Sequence, residues 1–328
     1  MLDRLREIWA SARFRIVFWA TLSGLFLGIS GLSIPIEDVL RNMRIPLQLH
    51  DSDGETVMVL QDGRTLDELK AIDVSRANDA DLIEHLMAAG AKRVFYDRTF
   101  AGQGDSEESG KLIRTLGRFP GRVFIGAMPG NGRSGNFSNK IPDAQFREKA
   151  GVISLLALHH PFNLGMELPY ASDSPIGQIP SLAAEVAGVE GSTDMLFSPD
   201  WSIRVSSIPS VSYIDVLNDE FNPIEVRGKD IIVAPAAVDY NDIHKIPGQF
   251  GTAPGGFFQA IAAETLKHGL PKNLGWAPAL LLVMVIVISG LGRGCSLDVI
   301  RFSGLVIVLA AAPFFLDMVG VRIEIARR

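Results

Sequence analysis

Residues 16–34 carry no charged side chain over 19 positions, close to the ~20 residues a helix needs to cross ~30 Å of hydrocarbon. Two further apolar runs, 274–291 and 302–321, lie near the other end of the chain, the last interrupted only by Asp317. A chain built this way has few architectures open to it: its ends sit in lipid and the long middle folds outside. A positive mean hydropathy and 47% hydrophobic residues agree with that division. The first run exceeds the ~7–15 residues of a signal-peptide core, and no Ala-x-Ala cleavage site follows it, so it reads as an uncleaved anchor. Gly24 and Gly28 give it a small-residue face on which two such helices can approach.

Arg4, Arg6, Arg13 and Arg15 precede the first run and place residues 1–15 in the cytoplasm, which puts residues 35–273 outside. Trp276 marks the outer edge of the second span, and Arg293 and Arg301 bracket a cytoplasmic turn at 292–301. Asp317 is near enough to the end of the third span to reach the interface. By parity the tail, 322–328, then lies outside, yet it holds three arginines, against the positive-inside tendency. Either the third run is re-entrant, or a further helix follows residue 328 and returns the chain to the cytoplasm.

The middle region alternates short β-rich runs with helix-period segments. Expected strands are 56–61, 92–96, 122–126 and 231–234, nearly continuous in apolar residues, as befits strands covered on both faces. Expected helices are 79–89, 105–116, 180–187 and 209–217, the last two opening on proline, which a first helical turn tolerates. Such alternation predicts an α/β layered domain with a mostly parallel sheet and flanking helices, joined to transmembrane α-helices. Residues 126–142 read as a surface loop.

The stretch 228–270 joins this domain to the membrane. It predicts a buried strand, a polar loop with Asp239, Asp242 and His244, and a helix from about Pro254 and Gly255 to His268, stopped by Gly269 and Pro271. These last five residues are the expected route of signal transmission, whereas Arg13, Arg15, Trp276, Arg293 and Arg301 anchor the chain in membrane lipid.

A net charge of −6 offers no basic patch for nucleic acid. The single cysteine, Cys295, excludes an internal disulfide framework and a thiolate metal cluster. No phosphate-binding glycine loop, zinc-binding His-Glu-x-x-His or nucleophile elbow is present, so neither a cofactor nor catalysis is expected. Asp62, Asp97 and Asp239 each follow an expected strand, and carboxyl ends of neighbouring parallel strands form the edge where ligands bind. With His244 they make a candidate ligand-sensing set, suited to a hard cation, a basic small molecule or a proton. The competing reading gives these aspartates to turns and helix caps. His159 and His160 precede Pro161 in an extended segment, and His50, His85 and His268 stand isolated, as solvated or capping residues.

Several segments together resemble the type-2 CHASE family, the cyclase and histidine-kinase associated sensory extracellular domains of bacterial receptors. They are VMVLQDGRTLDEL (57–69), ANDADLIEHLMAAGAKRVFYDRTFAG (77–102), IPSLAAEVAG (179–188), SIPSVSYIDVLND (207–219) and the stretch 228–270. The resemblance implies a sensory input module in the bacterial inner membrane, and its expected partner is another copy of itself, as a homodimer, since helix displacements are most easily read at a dimer interface. It also implies a fourth helix and a cytoplasmic output domain: a diguanylate cyclase or phosphodiesterase, an adenylate cyclase or a histidine kinase. Both are missing from this sequence, as expected of the N-terminal portion of a longer receptor. The alternatives are a membrane-anchored enzyme using Asp97, Asp239 and His244 as acid and base, and a passive scaffold.

Overall fold

The computed structural model describes residues 12–30, 39, 41–102, 104–130, 139–159, 166–270, 272–273, 278, 281 and 321–322. It divides into two compact units, Leu49–Leu270 and the flanking Met1–Gln48 with Pro271–Arg328. In the flanking unit, α1 (Ala12–Ser30) exposes Phe18, Trp19, Leu22, Leu25, Phe26 and Ile29. The sequence of this helix is apolar on all sides rather than along one stripe. No helix among the described residues is long and apolar enough to cross a membrane. The expected spans at 274–291 and 302–321 lie almost wholly outside the described residues, as do Pro271, Trp276, Arg293 and Arg301.

The unit Leu49–Leu270 is built on a six-stranded sheet. Its strands are β1 (Thr56–Gln61), β2 (Arg93–Tyr96), β3 (Val123–Ala127), β4 (Gly151–Ser154), β10 (Ser210–Ser212) and β11 (Asp230–Pro235), in the order β10-β1-β11-β2-β3-β4. Every pairing is parallel. Between β4 and β10 lie shorter antiparallel pieces: β5 (Leu158–His159), β6 (Met166–Pro169) and β9 (Leu196–Phe197) in one ribbon, β7 (Ala171–Ser174) with β8 (Gly177–Pro180) in another. A last hairpin, β12 (Ile243–Lys245) with β13 (Thr252–Pro254), leads out of the sheet.

Helices cover both faces, as parallel strands require. They are α2 (Gly63–Leu69), α3 (Arg76–Ala88), α4 (Ser106–Arg118), α5 (Ala144–Arg147), α6 (Leu182–Ala187), α7 (Tyr213–Leu217), α8 (Pro223–Val226) and α9 (Gly255–His268). On one face Val57, Val59, Val94, Tyr96, Ile125, Ile231 and Val233 join Leu82, Leu86, Leu112, Leu116 and Val216 of α3, α4 and α7 in a single core. The alternate residues Met58 and Ala234 point to the other face, beneath α9. There α6 lies against α9, and residues 256–266 of α9 are all buried.

The expected strands recur within one residue at each end, and β4 and β10 add edges that sequence periodicity did not reveal. Two helix starts are corrected. Pro180 closes β8 and Pro209 precedes β10; α6 and α7 begin instead after Ser181 and Ser212. In α6 the Ser181 hydroxyl accepts from Ala184 N at 3.2 Å, so a side-chain cap rather than a proline starts the helix.

The helix α9 can sit this low because position 256 has no side chain. A Cβ there would overlap Ala234 Cβ and lie 2.9 Å from Met58 Cε. The substitution Gly256→Ala is therefore expected to destabilise the protein by about 1–3 kcal/mol through overpacking, measured as a lower urea midpoint at unchanged slope.

Candidate functional site

The order β1-β11-β2 makes the strands that precede Asp62, Asp239 and Asp97 neighbours, with a common carboxyl edge. The three carboxylates nevertheless have different tasks. Asp62 caps α2: its Oδ1 accepts from Thr65 N at 2.9 Å, Thr65 Oγ1 at 2.8 Å and Ser212 Oγ at 3.1 Å. Its Oδ1 is taken up in starting a helix and tying it to the end of β10. Asp239 is exposed on a single 3-10 turn, Val238–Tyr240.

Asp97 is different. Tyr96 before it belongs to the α3 core, so alternation along the strand sends Asp97 to the opposite face, under the N-terminus of α9. Its Oδ2 lies 3.4 Å from where a Cβ on Gly256 would stand. The hairpin β12–β13 folds over the same edge. The Asp242 carbonyl accepts from Gly255 N at 3.0 Å, and its carboxylate holds His244 Nε2 at 2.9 Å. The His244 ring in turn meets Phe258 of α9 at 5.9 Å. Asp97, Asp242, His244 and the first turn of α9 thus form one polar cluster, called here the crevice, at the carboxyl edge of the sheet.

Burial, with the Asp242 carboxylate acting in the same sense, pushes the Asp97 carboxyl up to about 7. The N-terminal dipole of α9 acts in the other sense but is worth only about 0.3–1 kcal/mol in exposed settings. A carboxyl beside a second carboxylate favours any ligand that supplies positive charge or a hydrogen-bond donor.

On the opposite face, a second buried carboxylate is satisfied internally. Asp79 is fully buried on α3; Arg98 binds its Oδ2, and Tyr213 Oη donates to its Oδ1 at 3.0 Å. Tyr96 Oη donates to the Asp79 carbonyl at 3.2 Å, and Arg98 also reaches Asp73 at 3.4 Å. Burial raises the Asp79 carboxyl to about 6 despite the opposing pull of Arg98. Sequence reasoning missed this network, because Asp79 reads as an ordinary first-turn acid of an amphipathic helix.

The histidines expected to be isolated have partners. His50 lies 3.4 Å from Asp200, and His85 Nδ1 is 2.9 Å from the Val216 carbonyl. His268, at the last turn of α9, lies 3.5 Å from Asp53. The spacing Glu264-x-x-x-His268 was the available signal for that last neighbourhood, since residues four apart share a helix face.

A parallel α/β sheet with a polar crevice over its carboxyl edge has the build of a ligand-receiving domain. The family model of the CHASE2 domain matches residues 16–293, and the chain belongs to that family. CHASE2 is a sensory domain family of signalling receptors, with the domain on the extracellular side. No curated protein and no solved structure matches the chain.

Two outcomes test this electrostatic picture. A carboxyl with its folded pKa raised from 3.8 to about 7 stabilises the fold below pH 4, and that contribution is lost as pH rises through 7. Asp79 acts with the same sign but up to about 6. The melting temperature should thus fall between about pH 4 and 7, and Asp97→Asn should flatten the part of the fall above pH 6. Separately, Arg98→Met leaves Asp79 buried without its cation and is expected to cost about 3–5 kcal/mol, read by urea denaturation at pH 7.5.

Proposed function

We propose that residues 49–270 are the extracytoplasmic input of a transmembrane receptor, and that α9 carries the state of the crevice to the point where the chain leaves the domain. The observation that supports this is the placement of the two ends of α9. Its first turn faces Asp97 and Asp242, and the last turn of this 14-residue helix is bound to the segment by which the chain enters the unit. Glu264 Oε2 accepts from Ser52 Oγ at 2.6 Å and its Oε1 from Asp53 N at 2.9 Å. Lys267 adds Glu55 at 3.3 Å. At 1.5 Å per residue the helix is a rod of about 21 Å, so a displacement at the crevice arrives at both chain exits together.

The exposed apolar side chains of α1 suit contact with lipid or with a second copy of the same helix. In this reading residues 16–34, 274–291 and 302–321 span the inner membrane. Two protomers face each other, since helix displacements are readily registered at a dimer interface. The signal is a small molecule, an ion or a proton. The cytoplasmic output is a nucleotide cyclase, a phosphodiesterase or a histidine kinase.

Signalling needs an element with two states that both ends bias. Inserting one residue between His268 and Leu274 turns the second expected span by about 100° relative to α9. The receptor carrying this insertion should lose or invert its response, measured as second-messenger level or kinase phosphorylation. An unchanged response would reduce α9 to a tether.

A further inference from the structure

At the amino edge of the same sheet, opposite the crevice, three side chains of metal-ligand type meet. Asp53 precedes β1, and Glu264 and His268 lie one turn apart on α9; one ligand atom from each falls within 4.8 Å of the others. His268 Nε2 approaches Asp53 Oδ2 to 3.5 Å. That is long for a hydrogen bond. It suits two ligands of one ion, because bonds of ~2.1 Å set ligand atoms about 3.0–3.4 Å apart in octahedral or tetrahedral geometry.

Glu264 is the informative member. It is only 3% exposed, and a buried carboxylate is costly unless its oxygens are satisfied. Ser52 Oγ and Asp53 N each occupy one oxygen. A carboxylate has about four acceptor positions, so each oxygen keeps one free. The two donors also fix the plane of the carboxylate, as groups behind a metal ligand do.

The surrounding charges balance without these residues. Arg93 binds Asp230 through Nε at 2.8 Å and lies 3.7 Å from Glu185. Lys92 and Lys267 reach Asp230 at 3.5 and 3.8 Å, and Lys267 also reaches Glu55. Three cations, Lys92, Arg93 and Lys267, thus face three carboxylates, Glu55, Glu185 and Asp230. Among the described residues, Asp53 accepts from Glu55 N at 2.8 Å and faces His268, and the donors to Glu264, Ser52 Oγ and Asp53 N, are both neutral. An open cavity of about 620 Å³, lined by Asp53, Lys267 and His268 among others, gives an ion access and leaves room for water ligands.

We propose that Asp53, Glu264 and His268 bind a divalent first-row transition cation, which clasps the entering and leaving ends of the unit. Two carboxylates with one imidazole favour zinc, nickel, cobalt or manganese. Calcium, which takes 6–8 oxygen ligands, is disfavoured. The site lies at the opposite edge from the crevice, and it stands or falls independently of the sensory reading, because binding is measured directly.

The test is equilibrium titration of the full chain in detergent micelles with zinc chloride and, as the hard-cation comparison, calcium chloride. Wild type should bind zinc with micromolar or tighter affinity and calcium at least 100-fold more weakly. Both His268→Gln and Asp53→Asn should weaken zinc binding at least tenfold. Both residues are exposed, and each replacement keeps the size of the original. Metal-free melting temperatures within about 2 °C of wild type identify loss of a ligand rather than loss of the fold. A variant outside that window is replaced by His268→Ala or Asp53→Ser. Absence of zinc binding by wild type, or binding undiminished in either folded variant, overturns the proposal.

Discussion

The absence of a side chain at residue 256 decides the rest of the arrangement. With Ala234 and Met58 directly beneath it, only glycine lets α9 settle onto the middle of the sheet. Glycine within a helix costs about 0.5–1 kcal/mol relative to alanine. Here that cost is outweighed by the burial of Phe257, Phe258, Ile261 and Leu266, each worth about 1.5–3 kcal/mol. The same close approach lowers the first turn of α9 over the carboxyl end of β2. It thereby shields Asp97 in part from water and, with Asp242 beside it, raises its pKa. Local packing and the chemistry of the crevice therefore have one cause.

The two faces of the sheet handle buried acids in opposite ways. Asp79 has Arg98 and Tyr213 as direct partners, so its charge is compensated within the fold. Asp97 has another carboxylate, Asp242, as its main charged neighbour. The compensated acid still titrates with a raised pKa, because burial outweighs Arg98, but it has a cation in place and so offers no vacancy for an outside one. An acid facing an acid leaves a deficit of positive charge that a proton, a cation or a donor group relieves. The distinction lies in the partner as much as in depth, since Asp79 is fully buried and Asp97 half-buried.

Elements were legible in the sequence where burial alone dictates the residue pattern, and hidden where distant contacts decide. The central strands could be read because burial on both faces forces continuous apolar runs such as Val57-Met58-Val59 and Ile231-Ile232-Val233. The helix at 255–268 could be read from its span of apolar residues and its glycine stop. Strand β10 was hidden because it is three residues long on an edge, and Pro209 before it mimicked a helix start. Asp97 was found from its position after a strand, and the same rule gathered in Asp62 and Asp239. The rule locates an edge, but it does not tell which face a side chain takes or whether a nearby amide claims it. Glu264 and Asp53 were missed for a plainer reason: 211 residues separate them, and only the fold brings them together.

The helix α9 links two polar clusters of opposite accessibility to the rest of the protein. At its first turn, Asp97 and Asp242 sit where loops of a parallel sheet leave a crevice. At its last, Glu264 holds Ser52 and Asp53, while Lys267 joins Glu55 and Asp230. A buried helix of this length does not bend readily along an interface packed at interior density. A shift at one end is therefore transmitted as a rigid displacement, and the hydrogen bonds at the other end must move with it or break. Those bonds tie the entering chain to the leaving one, which is why the proposed relay runs through α9.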